Sequence, residues 1–164
     1  MKGVDALIAS VLIILISVTA IFIAFQLGNP STEKAKEILL MQEGKNNLMT
    51  IDNAVKNVLA EGEGSTRALR LTISGGYYTI DNITNSVLFS MESRAQIVGD
   101  GISKIEDGIN ITGATRMIYL RLQYSNIQIK GKGEVGRGTH TITVRNDGYN
   151  STSQKQIIYI SPTP

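Results

Sequence analysis

The hydrophobic pattern along the chain changes character twice. From Ala6 to Leu27 there is no charged residue, and most positions are Leu, Ile, Val or Phe. About 22 such residues at about 1.5 Å each reach the thickness of a bilayer core, so the run predicts a membrane-spanning helix. With each large apolar residue contributing about 0.3–0.6 kcal/mol to insertion, the segment should partition into lipid by several kcal/mol. On a helical wheel, Ala6, Ser10, Ser17, Ala20 and Ala24 fall in a stripe of about a quarter turn, with bulky residues such as Leu12, Leu15 and Phe22 around it. A line of small side chains lets a second backbone approach closely.

Gly28-Asn29-Pro30 interrupts the run and predicts a kink or a melted joint, because Asn29 suits an N-cap and Pro30 a first helical position. From Ser31 to about Ala60, a composition rich in Glu, Lys, Ala, Leu and Met, with Ile51, Val55, Val58 and Leu59 at helical spacing, predicts an amphipathic continuation. Glu61-Gly62-Glu63-Gly64 should end it.

Beyond that break the period falls to two. Leu69, Leu71 and Ile73 alternate with polar residues, and Ser74-Gly75-Gly76 leads into Tyr77 to Ile80, which reads as a hairpin. Further strands are expected at Ser86–Met91, Met117–Tyr124, Ile127–Lys130, His140–Arg145 and Gln156–Ile160. In the strand from Met117, the face carrying Ile118, Leu120, Leu122 and Tyr124 should be core. Gly131-Lys132-Gly133 and Gly136-Arg137-Gly138 suggest a flexible loop, and Pro162 and Pro164 a rigid tail. The expected fold is therefore α+β: a long N-terminal hydrophobic helix, kinked near Gly28–Pro30, followed by an all-β sandwich-like C-terminal domain. Its divisions are a leader at 1–3, a helix at 4–61 (apolar 4–27, amphipathic 31–61) and a β-domain at 65–164.

Composition narrows the partners. A net charge of +2 in 164 residues, with basic residues scattered among acidic ones, gives no footprint for nucleic acid. The absence of cysteine excludes a disulfide framework and a thiolate metal site. Lys2 is the sole basic residue on the N-terminal side of the apolar run, which favours a cytoplasmic N-terminus and an exported remainder. A secretory signal would carry its cleavage site after the apolar run, whereas here the candidate, Lys2-Gly3, lies before it.

A short basic leader ending in glycine, the run starting Val4-Asp5-Ala6-Leu7-Ile8-Ala9, an amphipathic continuation and a β-rich remainder together resemble archaeal type IV pilins and archaellins. The resemblance is specific at the leader and helix, and elsewhere extends only to architecture. It implies a membrane peptidase that cuts between Gly3 and Val4, making Lys2, Gly3 and Val4 the processing residues. It also implies a subunit held in the membrane before assembly, a pilus assembly platform, and an extracellular homopolymer whose core is a bundle of these helices. Adhesion is the expected role; the alternatives are a motility filament, or a monomeric surface binding protein anchored by the same helix. Bacterial-type pilins carry a glutamate five residues into the mature helix. Here the only early carboxylate is Asp5, which either pairs with a free Val4 amine or a neighbouring subunit's amine, or caps the helix N-terminus. The small-residue stripe would be the contact line of the bundle.

Three Asn-x-Ser/Thr triplets, at Asn82, Asn110 and Asn150, all lie in the β-rich part and are candidate N-glycan acceptors. His140 is the only histidine and falls on a strand face with Ile142 and Val144, which reads as a half-buried structural residue. Glu106-Asp107-Gly108 and Asn146-Asp147-Gly148 read as turns, the former lacking the spaced ligands of a calcium loop. The six tyrosines read mainly as strand residues. No nucleophile elbow, phosphate loop or paired-histidine motif is present, so neither enzymatic activity nor a cofactor is expected.

Overall fold

The computed structural model describes residues 2–131 and 133–163; for 2–7, 25–30 and 163 the description is of the backbone alone. Helix α1 (Lys2–Glu61) is followed by β1 (Thr66–Ile73), β2 (Tyr77–Asp81), β3 (Ser86–Glu92), β4 (Ser103–Glu106), β5 (Ile109–Ala114), β6 (Met117–Gln123), β7 (Ile127–Lys130), β8 (Gly133–Val135), β9 (Gly138–Asn150) and β10 (Lys155–Thr163). The chain divides into two compact units, Met1–Lys36 and Glu37–Pro164.

The second unit is built from two sheets and the C-terminal half of α1. One sheet has the order β1-β9-β10-β7, antiparallel except for β10 with β7; the other is antiparallel in the order β4-β5-β6-β3-β2-β8. Their apolar faces share one core with the helix. Leu48, Ile51, Ala54, Val55 and Val58 from α1 join Phe89, Ile111, Ile118 and Leu120 from the larger sheet and Ile142, Val144, Ile158 and Ile160 from the smaller. Helical spacing of three and four brings those α1 residues to one face, while alternation does the same on each strand.

Gly44 allows the helix to approach the larger sheet. A Cβ there would stand 2.4 Å from the Phe89 ring, so only glycine leaves room. Phe89 in turn lies against Tyr78, with ring centroids 4.8 Å apart, and the Tyr78 hydroxyl donates to the Gly44 carbonyl at 3.3 Å. A glycine that weakens helix propensity by about 1 kcal/mol is thus placed where the ring needs the space.

The expected fold class requires correction. The C-terminal unit is not an all-β sandwich standing after a helix, because burial of the amphipathic half of α1 makes that half a core element. The melted joint is also absent: helix assignment runs unbroken through Gly28-Asn29-Pro30. Helical turns on both sides outweigh a proline cost of about 3 kcal/mol. Among the described residues, no helix is long and apolar enough to cross a membrane, which overturns the expected membrane-spanning helix. The described apolar side chains run over 8–24, a stretch that at about 1.5 Å per residue falls short of the roughly 30 Å hydrocarbon core. The side chains of Ala6, Leu7 and 25–27 lie outside the described residues.

Several local expectations change as well. Ser74-Gly75-Gly76 does not close a hairpin; β1 pairs with β9 and β2 with β3 and β8, so this turn carries the chain from one sheet to the other. Asn146-Asp147-Gly148 lies inside β9, where two residues, Asp147 and Gly148, stand opposite Ile157 alone. The Gly148 φ of 92° supplies this bulge, so the glycine signal marked irregular backbone within a strand. The expected loop around 131–138 includes β8. The tail to Thr163 continues β10, with Pro162 opposite Ile142 in a stretch where β7 no longer pairs. Strands β4 and β5 were not expected. The Ile118, Leu120 and Leu122 face is buried as alternation implies.

Candidate functional site

Every described side chain from Ile8 to Ala24 is exposed. The large ones, including Ile8, Leu12, Ile13, Leu15, Val18, Ile21 and Phe22, are each at least half exposed. Full burial of such a side chain is worth about 1.5–3 kcal/mol, so a face of this size calls for a covering partner. Its few polar atoms do not oppose that. The Ser17 hydroxyl donates to the Ile13 carbonyl at 2.8 Å and Thr19 to Leu15 at 2.7 Å, so both are satisfied within the helix.

Of the predicted contact stripe, Ser10, Ser17, Ala20 and Ala24 are exposed on this helix. A second feature was not anticipated: a shallow apolar groove lined by Leu12, Leu15, Ile16, Thr19, Ala20 and Ile23. It lies largely on the opposite side of the wheel from Ser10 and Ser17. Its signal in the sequence is the short Thr19 set among bulky residues three and four positions away. The helix therefore offers close approach on two sides. The side chains of Lys2, Gly3, Val4, Asp5 and Ala6 lie outside the described residues, and with them the processing site and the Asp5 alternatives.

The three glycan acceptors occupy different environments. Asn82 is exposed in the β2–β3 turn, beside Ile83 at 89% exposure. The turn is held by Asp81, whose Oδ1 accepts the Ile83 N–H at 2.9 Å and whose Oδ2 accepts the Thr84 hydroxyl at 2.7 Å; these bonds lower the Asp81 pKa. Asn110 lies on the exposed face of β5, and its Oδ1 accepts from the Ser103 hydroxyl at 2.6 Å. Asn150 is half-buried at the β9–β10 turn, and its Nδ2, the atom a glycan would modify, donates to Gln128 at 3.3 Å. Geometry thus favours Asn82 over Asn150.

The remaining candidate chemistry is held in structural contacts. Lys45 places Nζ 2.8 Å from Glu106 and 2.7 Å from Asp107, so the acidic turn is neutralised by the helix, and these pairs raise the Lys45 pKa. His140 is half-buried. Tyr78 is buried, while Tyr149 and Tyr159 are exposed. Among the described residues, no group of three His, Cys, Asp or Glu could hold a metal ion.

Two polar residues escaped sequence reasoning. Glu37 is buried, with Oε2 accepting from the Ser93 hydroxyl at 2.7 Å and Oε1 from the backbone N–H of Arg94 at 2.7 Å and Ala95 at 3.0 Å. Burial raises its pKa, but the three hydrogen bonds together outweigh burial and lower it. Asn146, 1% exposed, donates from Nδ2 to the Val58 carbonyl at 3.1 Å and accepts the Gly148 N–H at 3.0 Å. It secures the end of α1 from the opposite end of the sequence. Neither role has a local sequence signal, since each partner is more than fifty residues away or depends on the bulge. No family model, curated protein or solved structure matches this chain.

Proposed function

We propose that this chain is a structural subunit of an extracellular filament, polymerising through the helix segment around 8–24 and displaying the Glu37–Pro164 unit outward. The observation that carries this reading is an exposed helix surface apolar on all sides. A helix that docks on one partner needs one apolar face, whereas one surrounded by copies of itself needs apolar contact all round. The small-residue stripe at Ser10, Ser17, Ala20 and Ala24 and the groove around Thr19 suit contact with more than one neighbour. In this reading a leader peptidase cuts between Gly3 and Val4, the precursor waits at the membrane with a cytoplasmic N-terminus, and an assembly platform carries it outward. The β-rich unit then forms the outer surface, with Asn82, Asn110 and Asn150 as the acceptors available to N-glycans. The role is structural and adhesive, with motility as the alternative use of the same polymer.

The test is electron microscopy of filaments sheared from the source cells, with N-terminal mass analysis of this chain in the same fraction. Uniform fibres containing a chain that starts at Val4 support the reading and its cut site. Fibres with a chain starting at Met1 keep the polymer and remove the cut. A chain confined to membranes, uncut and without fibres, favours an anchored surface binding protein instead.

A further inference from the structure

We propose that β4 is a self-complementary edge through which two copies of this chain join, antiparallel, into one continuous sheet. The strand ends the six-stranded sheet and, among the described residues, pairs only with β5. All four of its residues are exposed, with Ile105 at 78% and the preceding Ile102 at 56%. Two protections of an edge are absent, since Ser103–Glu106 contains no proline and its register with β5 is regular from Ser103↔Thr112 to Glu106↔Ile109; two are present, its four-residue length and the charges of Lys104 and Glu106, so only a partner that matches those charges can pair with it.

The backbone phase limits how two such edges can meet. The Gly113 N–H donates to the Ile102 carbonyl at 3.0 Å, so Ile102 faces β5. By alternation 104 and 106 face β5 too, which leaves the N–H and C=O of Ser103 and Ile105 directed outward. An antiparallel pair about a two-fold axis must bring outward residues opposite outward residues. Within the strand this leaves axes at 104 or 105, since one at 103 or 106 would place half the pairing beyond the strand. An axis at 104 puts lysine opposite lysine. Only the axis at 105 sets each Lys104 opposite Glu106 of the second copy, twice over.

The same register aligns the remaining contacts. Ile105 exchanges both backbone hydrogen bonds with its equivalent, and the two exposed isoleucine side chains meet on the sheet face that carries Asn110. Lys104 and Glu106 lie on the other face, half exposed and 3.2 Å apart within one chain, with Glu106 also bonded to Lys45 at 2.8 Å; across the axis each Lys104 meets the Glu106 of the second copy. Charge and phase thus select a single register and a second copy as the occupant. A four-residue edge buries less than the roughly 1,200 Å² of a stable interface, so the pair is weak alone and gains strength wherever many copies are arrayed. This contact does not depend on the helix-mediated polymer.

The test uses the full chain in nonionic detergent, produced without glycans because Asn110 is the register partner of Ile105. The sequence has no cysteine, so Ile105→Cys gives a unique thiol. Hydrogen-bonded antiparallel residues have Cα atoms about 5.5 Å apart, within disulfide reach. Under mild oxidation, Ile105→Cys should form a covalent dimer about tenfold faster than Ser103→Cys or the more exposed Ile83→Cys. Adding Lys104→Glu should reduce that rate to the control level, and adding Glu106→Lys as well should restore it. Equal rates for the three thiols, or a rate indifferent to Lys104→Glu, would overturn the proposal.

Discussion

At the scale of single residues, buried polar groups carry the sharpest consequences. Asn146 serves both the end of α1 and the β9 bulge, so Asn146→Ala leaves the buried Gly148 N–H without its acceptor. The expected loss is about 1–3 kcal/mol of stability, read from urea unfolding. Glu37 makes a pH-dependent contribution. Its folded pKa lies below the unfolded value, so its stabilisation is complete above ordinary carboxylate titration and is lost as pH falls through the folded pKa. Thermal melts from pH 6 to pH 3 should show Glu37→Gln less stable than the parent at pH 6, with the gap narrowing in acid. A constant gap would mean the carboxylate charge is irrelevant. Neither residue could be selected from the sequence, because Glu37 is one of several glutamates on a charged stretch and Asn146 sits in an ordinary turn tripeptide.

At the scale of elements, the periodic segments were legible and the pairings were not. Ile51, Val55 and Val58 were readable as one helix face, yet what that face covers is set by sheets formed much later in the chain. Gly44 shows the conflict between the two levels. Gly44→Ala improves intrinsic helix propensity by about 1 kcal/mol, but its Cβ would stand 2.4 Å from the Phe89 ring, and overpacking costs about 1–3 kcal/mol. The substitution should therefore lower the thermal midpoint; a rise would show that Phe89 moves aside freely. The turn at Ser74-Gly75-Gly76 makes the same point for strands. Glycines announce a reversal, but only the partners available to β1 and β2 decide that it joins two sheets. Strand β4 was invisible because an exposed edge needs no alternation, while Ile109 and Ile111 did alternate in β5.

At the scale of the whole molecule, the two compact units answer to different demands. The Glu37–Pro164 unit buries its apolar residues within itself. The exposed 8–24 segment leaves its own apolar residues for a partner, and this division gives a test of the proposed assembly. Ile16→Lys places a charge in the groove beside Thr19, where burial among neighbouring copies would leave it unpaired. Filament yield should fall at least about tenfold, while the thermal transition of the Glu37–Pro164 unit stays unchanged. Normal filaments from this variant would remove the groove from the assembly surface.

The sequence by itself determined where apolar residues recur every third or fourth position, where they alternate, and where glycine breaks either pattern, because these follow from backbone geometry and side-chain chemistry within a few residues. It therefore identified the amphipathic half of α1, most of the strands and the three Asn-x-Ser/Thr triplets. The tertiary structure decided which strands pair, that the helix shares the core, that Glu37 and Asn146 have buried partners, and that β4 stands at an open edge. Those outcomes depend on contacts between distant segments, whose free energy is settled only when the whole unit packs together.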